Sequence, residues 1–144
     1  MEIQRVYNSK IASSISNINK VVTDILEKLK DRQLPNEDCT IFDFKVILNE
    51  LISNAIKHGN KEDLNKLVKI STALIDGRYL LLKVEDEGEG YNYASNSNED
   101  VRCDDDNLLS ESGRGILIVK CLCDKVRFNK KGNKIVVLKK LVKD

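Results

Sequence analysis

The sequence has no tryptophan, one proline, one methionine and one histidine, and aromatic residues make up 5% of it. Any core must therefore be aliphatic. No stretch approaches the roughly 20 consecutive apolar residues that a membrane-spanning helix needs. Met1 leads into Glu2 and a polar segment instead of an apolar signal core, so the expected location is the cytoplasm. Charge of one sign is also missing: 24 Lys and Arg face 23 Asp and Glu, a formal net of +1. No global field exists to pull the chain onto nucleic acid or an anionic membrane. The four cysteines, Cys39, Cys103, Cys121 and Cys123, include no C-x-x-C pair, which argues against a zinc knuckle or dithiol redox motif and leaves reduced, structural thiols as the expectation.

What is present suffices for one domain. With 144 residues and 41% hydrophobic content, the whole span 1–144 reads as a single unit. Ile11, Ile15, Ile18, Val22, Ile25 and Leu29 recur every three or four residues and predict a long amphipathic helix, preceded by an edge strand over about residues 2–7. Pro35 separates this from a second helix over about residues 37–57, with Gly59 as its stop. The period then changes to two through Val68, Ile70, Thr72 and Leu74, and Asp76-Gly77 turns the chain into a partner strand from Tyr79 to Asp86. The stretch between Gly90 and Gly113 is rich in Asn, Ser and Asp and reads as a long loop. An apolar helix from Gly115 to Cys123 follows, then two strands around a Lys131-Gly132-Asn133 turn. The fold class implied is α+β: a two-layer α/β sandwich whose mixed, mostly antiparallel sheet is covered on one face by helices.

Three features carry chemistry. On the second helix, Glu50, Asn54 and Lys57 share an arc apart from the apolar face of Ile41, Phe44, Leu48, Leu51 and Ala55. A carboxylate, an amide and an ammonium are thereby stacked as a metal-bound polyphosphate requires, although a solvated helix face has the same pattern. Second, alternation puts Asp86 on the face of Leu80, Leu82 and Val84, so its carboxylate needs a hydrogen-bond donor. The exocyclic amino group of adenine is one such donor; guanine offers an oxygen there instead. Gly88 and Gly90 follow at once and let backbone approach a flat base. Third, Gly113-Arg114-Gly115 precedes a helix, where free N–H groups attract phosphate oxygens. No P-loop occurs, and Tyr93 stands where a dinucleotide fingerprint would need its third glycine.

In this order, the segments Asn49-Glu50-Leu51-Ile52-Ser53-Asn54-Ala55-Ile56-Lys57-His58-Gly59, Glu85-Asp86-Glu87-Gly88-Glu89-Gly90 and Gly113-Arg114-Gly115 resemble the N, G1 and G2 boxes of Bergerat-fold (GHKL) ATPases. The resemblance runs from about Phe42 to the end, and the stand-alone length and short lid, at about residues 91–112, look like the anti-sigma factor serine/threonine kinases. It implies ATP and Mg as cofactors, Glu50 as general base, Asn54 as the Mg ligand, and Asp86 as reader of the adenine amino group. Gly88 and Gly90 would shape the base pocket, while Gly113, Arg114 and Gly115 would cradle phosphates. Lys57 and His58 adjoin the N box, with His58 equally a helix-end cap.

The implied partners are an anti-anti-sigma protein of STAS type, phosphorylated on a serine or threonine, and a sigma factor held inactive. A homodimer through the first helix or the sheet face stays open, and no direct nucleic-acid contact is expected. One departure bears on transfer: some sporulation-type relatives carry an arginine two residues before the first G2 glycine, where this chain has Glu111. Arg114 is the candidate substitute. The competing readings are a nucleotide-clamped binding module without catalysis, and a histidine-kinase-like ATPase. The latter would act on another protein, because the sole histidine, His58, lies inside the nucleotide-site segment and is not placed as the phosphoacceptor of a sensor histidine kinase. The lysines and arginine of the C-terminal strands, Lys125 to Lys140, read as the wet face of a strand pair.

Overall fold

The computed structural model describes residues 1–32, 38–90 and 111–141, the side chains of 38–40 and 111–114 excepted. In chain order the elements are β1 (Ile3–Ala12), a short 3-10 turn (Ile15–Asn17), α1 (Ile18–Lys30), α2 (Asp38–Asn54), a π-helical turn (Ala55–Gly59), β2 (Leu67–Ile75), β3 (Tyr79–Glu85), α3 (Glu111–Leu122), β4 (Lys125–Phe128) and β5 (Lys134–Lys140). The strands form one sheet in the order β1-β2-β3-β5-β4. Every described pairing is antiparallel, which is the limit of the mostly antiparallel mixture expected.

Register follows the alternation in the sequence. Ile70 lies opposite Val84, Thr72 opposite Leu82 and Leu74 opposite Leu80, so one face of the β2–β3 pair is buried and apolar apart from Thr72. Val84 and Leu82 in turn face Ile135 and Val137 of β5. The three-residue loop between β2 and β3, Asp76 to Arg78, has Asp76 (φ 53°) and Gly77 (φ 65°) both left-handed and is closed by the Arg78 N–H on the Ile75 carbonyl (3.0 Å). Against this face pack Ile25 and Leu29 of α1 and Phe44, Leu48, Leu51 and Ile52 of α2, all buried. Fully burying apolar side chains of this size contributes roughly 1.5–3 kcal/mol each, and among the described residues the core is aliphatic with Phe44 as its one fully buried ring.

Three expectations need correction. The first helix starts at Ile18, not Ile11: Ile11 pairs with Val68 in β1, and Ile15 sits in the 3-10 turn, 45% exposed. Here the ladder with β2 outweighs a helical spacing made of β-branched residues, which are intrinsically better in strands. The turn is secured by the Asn17 side chain, which donates to the Ala12 carbonyl (3.0 Å). Next, Lys139 does not lie on the wet face. It is largely buried beside Ile135 and Val137, pairs with Asp43 of α2 (3.6 Å), and donates to the Leu122 carbonyl at the end of α3 (2.7 Å). A cation there satisfies an orphan carbonyl and opposes the helix dipole. Finally, Cys121 is disulfide-bonded, which overturns the expectation that all thiols are reduced. Burial pushes the Cys123 thiol up to about 12, so this free cysteine remains protonated at neutral pH.

Candidate functional site

The helix α2 carries Glu50 and ends on Asn54, one turn later on the same side, and both are half-buried. Beyond Asn54 the helix widens into the π turn, closed by the Asn60 N–H on the Ala55 carbonyl (2.8 Å). A single π turn inside or at the end of a helix is often a functional feature. It carries Lys57, half-buried, and His58, exposed. Its last residue is Gly59, and a Cβ there would run into the carboxylate of Asp86. The stop signal read at Gly59 thus has a second meaning: it leaves room for the strand-end aspartate to come against the helix end.

Asp86 follows the last residue of β3. Its backbone N–H donates to the Asn133 carbonyl (2.9 Å), and its own carbonyl accepts from the Asn133 side chain (2.8 Å), so the β4–β5 turn holds it on both sides. Oδ1 of the carboxylate accepts the Gly88 N–H (2.8 Å), which is the local donor that the alternation argument required. Burial pushes the Asp86 carboxyl above its ordinary range, against the opposing pull of the Gly88 N–H, Lys131 and Lys66, with Glu85 adding to the rise. A Cβ on Gly88 would strike the Gly59 carbonyl, and one on Gly90, whose φ is 90°, would strike the Lys131 carbonyl. The glycines of this segment therefore permit contacts between backbones that no other residue allows.

The third feature changes its shape. The helix expected to begin at Gly115 begins at Glu111, so Gly113, Arg114 and Gly115 lie in the first turns of α3. Gly115 is its fifth residue, beyond the four whose N–H groups lack an intrahelical acceptor. It is buried, and a Cβ there would meet Oε2 of Glu50. Its described part is thus to let α3 lie against the Glu50 carboxylate. The side chains of Gly113's neighbours Ser112 and Arg114, and the lid expected at about 91–112 as far as residue 110, lie outside the described residues.

A family profile described as the histidine kinase-like ATPase domain matches residues 11–139. The chain belongs to the histidine kinase-like ATPase domain family. Among curated members of comparable length, the chain is 25% identical over 107 residues to the serine-protein kinase RsbW of Staphylococcus aureus (strain Newman), covering 72% of this chain and 67% of that one. It is 27% identical, with the same coverage, to the serine-protein kinase RsbW of Staphylococcus epidermidis. For this ATPase-family chain the residues fit a nucleotide: two glycines lie against the Asp86 carboxylate, and Glu50 and Asn54 are one helical turn apart on the same side. Among the described residues no group of three His, Cys, Asp or Glu is arranged to hold a metal ion. A magnesium at Asn54 would accordingly take its other ligands from phosphate oxygens and water, as this ion commonly does.

Sequence reasoning did not single out Asn60 or Ser13 and took Asn133 only as part of a turn, yet all three tie the segments of the candidate site together. Each is a polar residue outside any periodic pattern, and only tertiary contact reveals its partners.

Proposed function

We propose that the chain is an anti-sigma regulatory serine/threonine kinase that binds Mg-ATP, phosphorylates a STAS-type anti-anti-sigma protein, and alternatively holds a sigma factor. The single observation supporting this is the meeting of the three motif segments: Gly59 against Asp86 on one side, and Gly115 against Glu50 on the other. In this reading Asp86 accepts a hydrogen bond from the adenine amino group, with Gly88 and Gly90 giving the base close access to backbone. Burial raises the Asp86 carboxyl, and the Gly88 N–H, Lys131 and Lys66 favour its charged, hydrogen-bond-accepting form.

Glu50 takes the proton from the attacking serine or threonine hydroxyl as that oxygen bonds to the γ-phosphorus and ADP departs with the bridging oxygen. Asn54 would hold the magnesium, whose charge offsets that of the phosphates when it is bound. Lys57, His58, Gly113, Arg114 and Gly115 are proposed to flank the phosphates. Positioning and charge supply most of what phosphoryl transfer needs, so one carboxylate and one metal amide suffice. The relatives' names as serine-protein kinases agree with this assignment of substrate class.

The test is incubation of the purified chain with Mg-ATP and a STAS-domain protein bearing a serine. Gain of one phosphoryl group by that partner, read by mass spectrometry, is the expected outcome. Tight nucleotide binding with unchanged partner mass would instead support a binding module that uses nucleotide as a clamp.

A further inference from the structure

Just past the π turn lies Asn60, 1% exposed, in a core that is otherwise almost wholly aliphatic. Both polar atoms of its amide are engaged. Nδ2 donates to Ser13 Oγ (2.8 Å) and to the Leu67 carbonyl (3.1 Å), and Oδ1 accepts the Glu87 N–H (2.7 Å). Ser13, itself 0% exposed, donates to the Lys66 carbonyl (2.6 Å). One buried network therefore joins the exit of β1, the end of the α2 segment, the entry of β2 and the loop after β3.

Three of these bonds tie the exit of β1, the residue after the π turn and the entry of β2 to one another, whereas the one to Glu87 reaches the loop after β3. Glu87 stands between Asp86 and Gly88, and its peptide sets the direction of both the carboxylate and the N–H that holds it. The Glu87 side chain is also tied back, accepting the Leu67 N–H, so the loop is fixed to the same node twice. We infer that Asn60 is a positioning residue for base recognition: it holds the Glu87 peptide so that the Asp86 carboxylate is presented to the base, without itself touching the nucleotide. The inference rests on the reading that Asp86 accepts a hydrogen bond from adenine.

The test compares the full-length wild type with Asn60→Ala and Ser13→Ala. For each, thermal melting without nucleotide is recorded, then affinity for Mg-ATP and for the Mg complex of purine riboside triphosphate, which lacks the amino group. Asn60→Ala is expected to bind ATP about tenfold more weakly while binding the amino-free analogue nearly as well as wild type, so discrimination falls by about the same factor. A purely structural asparagine would lower the melting temperature and weaken both nucleotides in equal proportion, and that result overturns the inference. Ser13→Ala leaves the Glu87 bond in place but loosens the amide that makes it, and is expected to lower discrimination about twofold to threefold. Should Asn60→Ala not fold, Ser13→Ala decides: unchanged discrimination contradicts the proposal. Absence of ATP binding by wild type would remove the underlying reading itself, an outcome distinct from a wild type that discriminates and an Asn60 variant that does so equally well.

Discussion

The two ends of the candidate site are built by opposite means. Around Asp86, hydrogen bonds over-determine the backbone: Asn133 holds residue 86 on both sides, Asn60 holds residue 87, and the aspartate itself holds residue 88. Around Glu50, among the described residues, the arrangement is one of packing, a helix face brought up to a carboxylate because Gly115 has no side chain. The contrast teaches where each end tolerates change. A base-reading group must point one way before the ligand arrives, whereas a proton acceptor needs room to follow its substrate.

The largest effect expected from breaking this contrast is at Glu50. Glu50→Ala should lower phosphoryl transfer to a STAS partner by about 10²–10⁴-fold with ATP affinity nearly unchanged, measured by single-turnover transfer and by calorimetry. Asp86→Asn should act at the other end, weakening ATP binding by roughly ten- to a hundredfold through loss of a charge-assisted hydrogen bond. An undiminished affinity removes Asp86 from the pocket.

Two glycine replacements sharpen the comparison further. Gly59→Ala drives a Cβ into the end of the Asp86 side chain, which can rotate away, so the fold should survive while ATP affinity drops by about tenfold. Gly115→Ala displaces the Glu50 carboxylate instead and should slow transfer by about tenfold with affinity kept. Effects that fail to separate in this way would mean that the two ends do not act independently.

The smallest effect concerns pH. Because burial raises the native-state pKa of Asp86, the folded chain holds that proton more readily than the unfolded chain, so ionisation of Asp86 opposes folding. Its unfavourable contribution appears as pH rises through the native pKa and is absent below the ordinary aspartate range. Nucleotide-free Asp86→Asn should accordingly melt at or slightly above wild type at neutral pH, with the gap closing as pH falls towards that range. A variant that melts well below wild type at neutral pH would show that the charge is stabilising instead.

Much of this was legible in the residues. Period-two alternation with Asp76-Gly77 gave the β2–β3 hairpin to within a residue, and the wheel of α2 separated its buried face from Glu50 and Asn54. The face of Asp86 was also readable, because a strand's alternation continues one residue past its end. What was not legible depends on contacts distant in sequence. Ile11 and Ile15 keep a helical spacing, yet pairing with Val68 pulls Ile11 into β1. Lys139 looks like a surface lysine until Asp43 and the end of α3 are brought to it. Asn60 and Ser13 lie 47 positions apart and have no pattern in common, so their shared hydrogen bond has no local signature.

The most direct test is a calorimetric titration of wild type and Asp86→Asn with Mg-ATP and Mg-GTP. The account predicts saturable ATP binding by wild type, GTP binding weaker by at least about tenfold, and near-equal affinities in the variant. No saturable heat with ATP, or equal affinity of wild type for the two nucleotides, would contradict it.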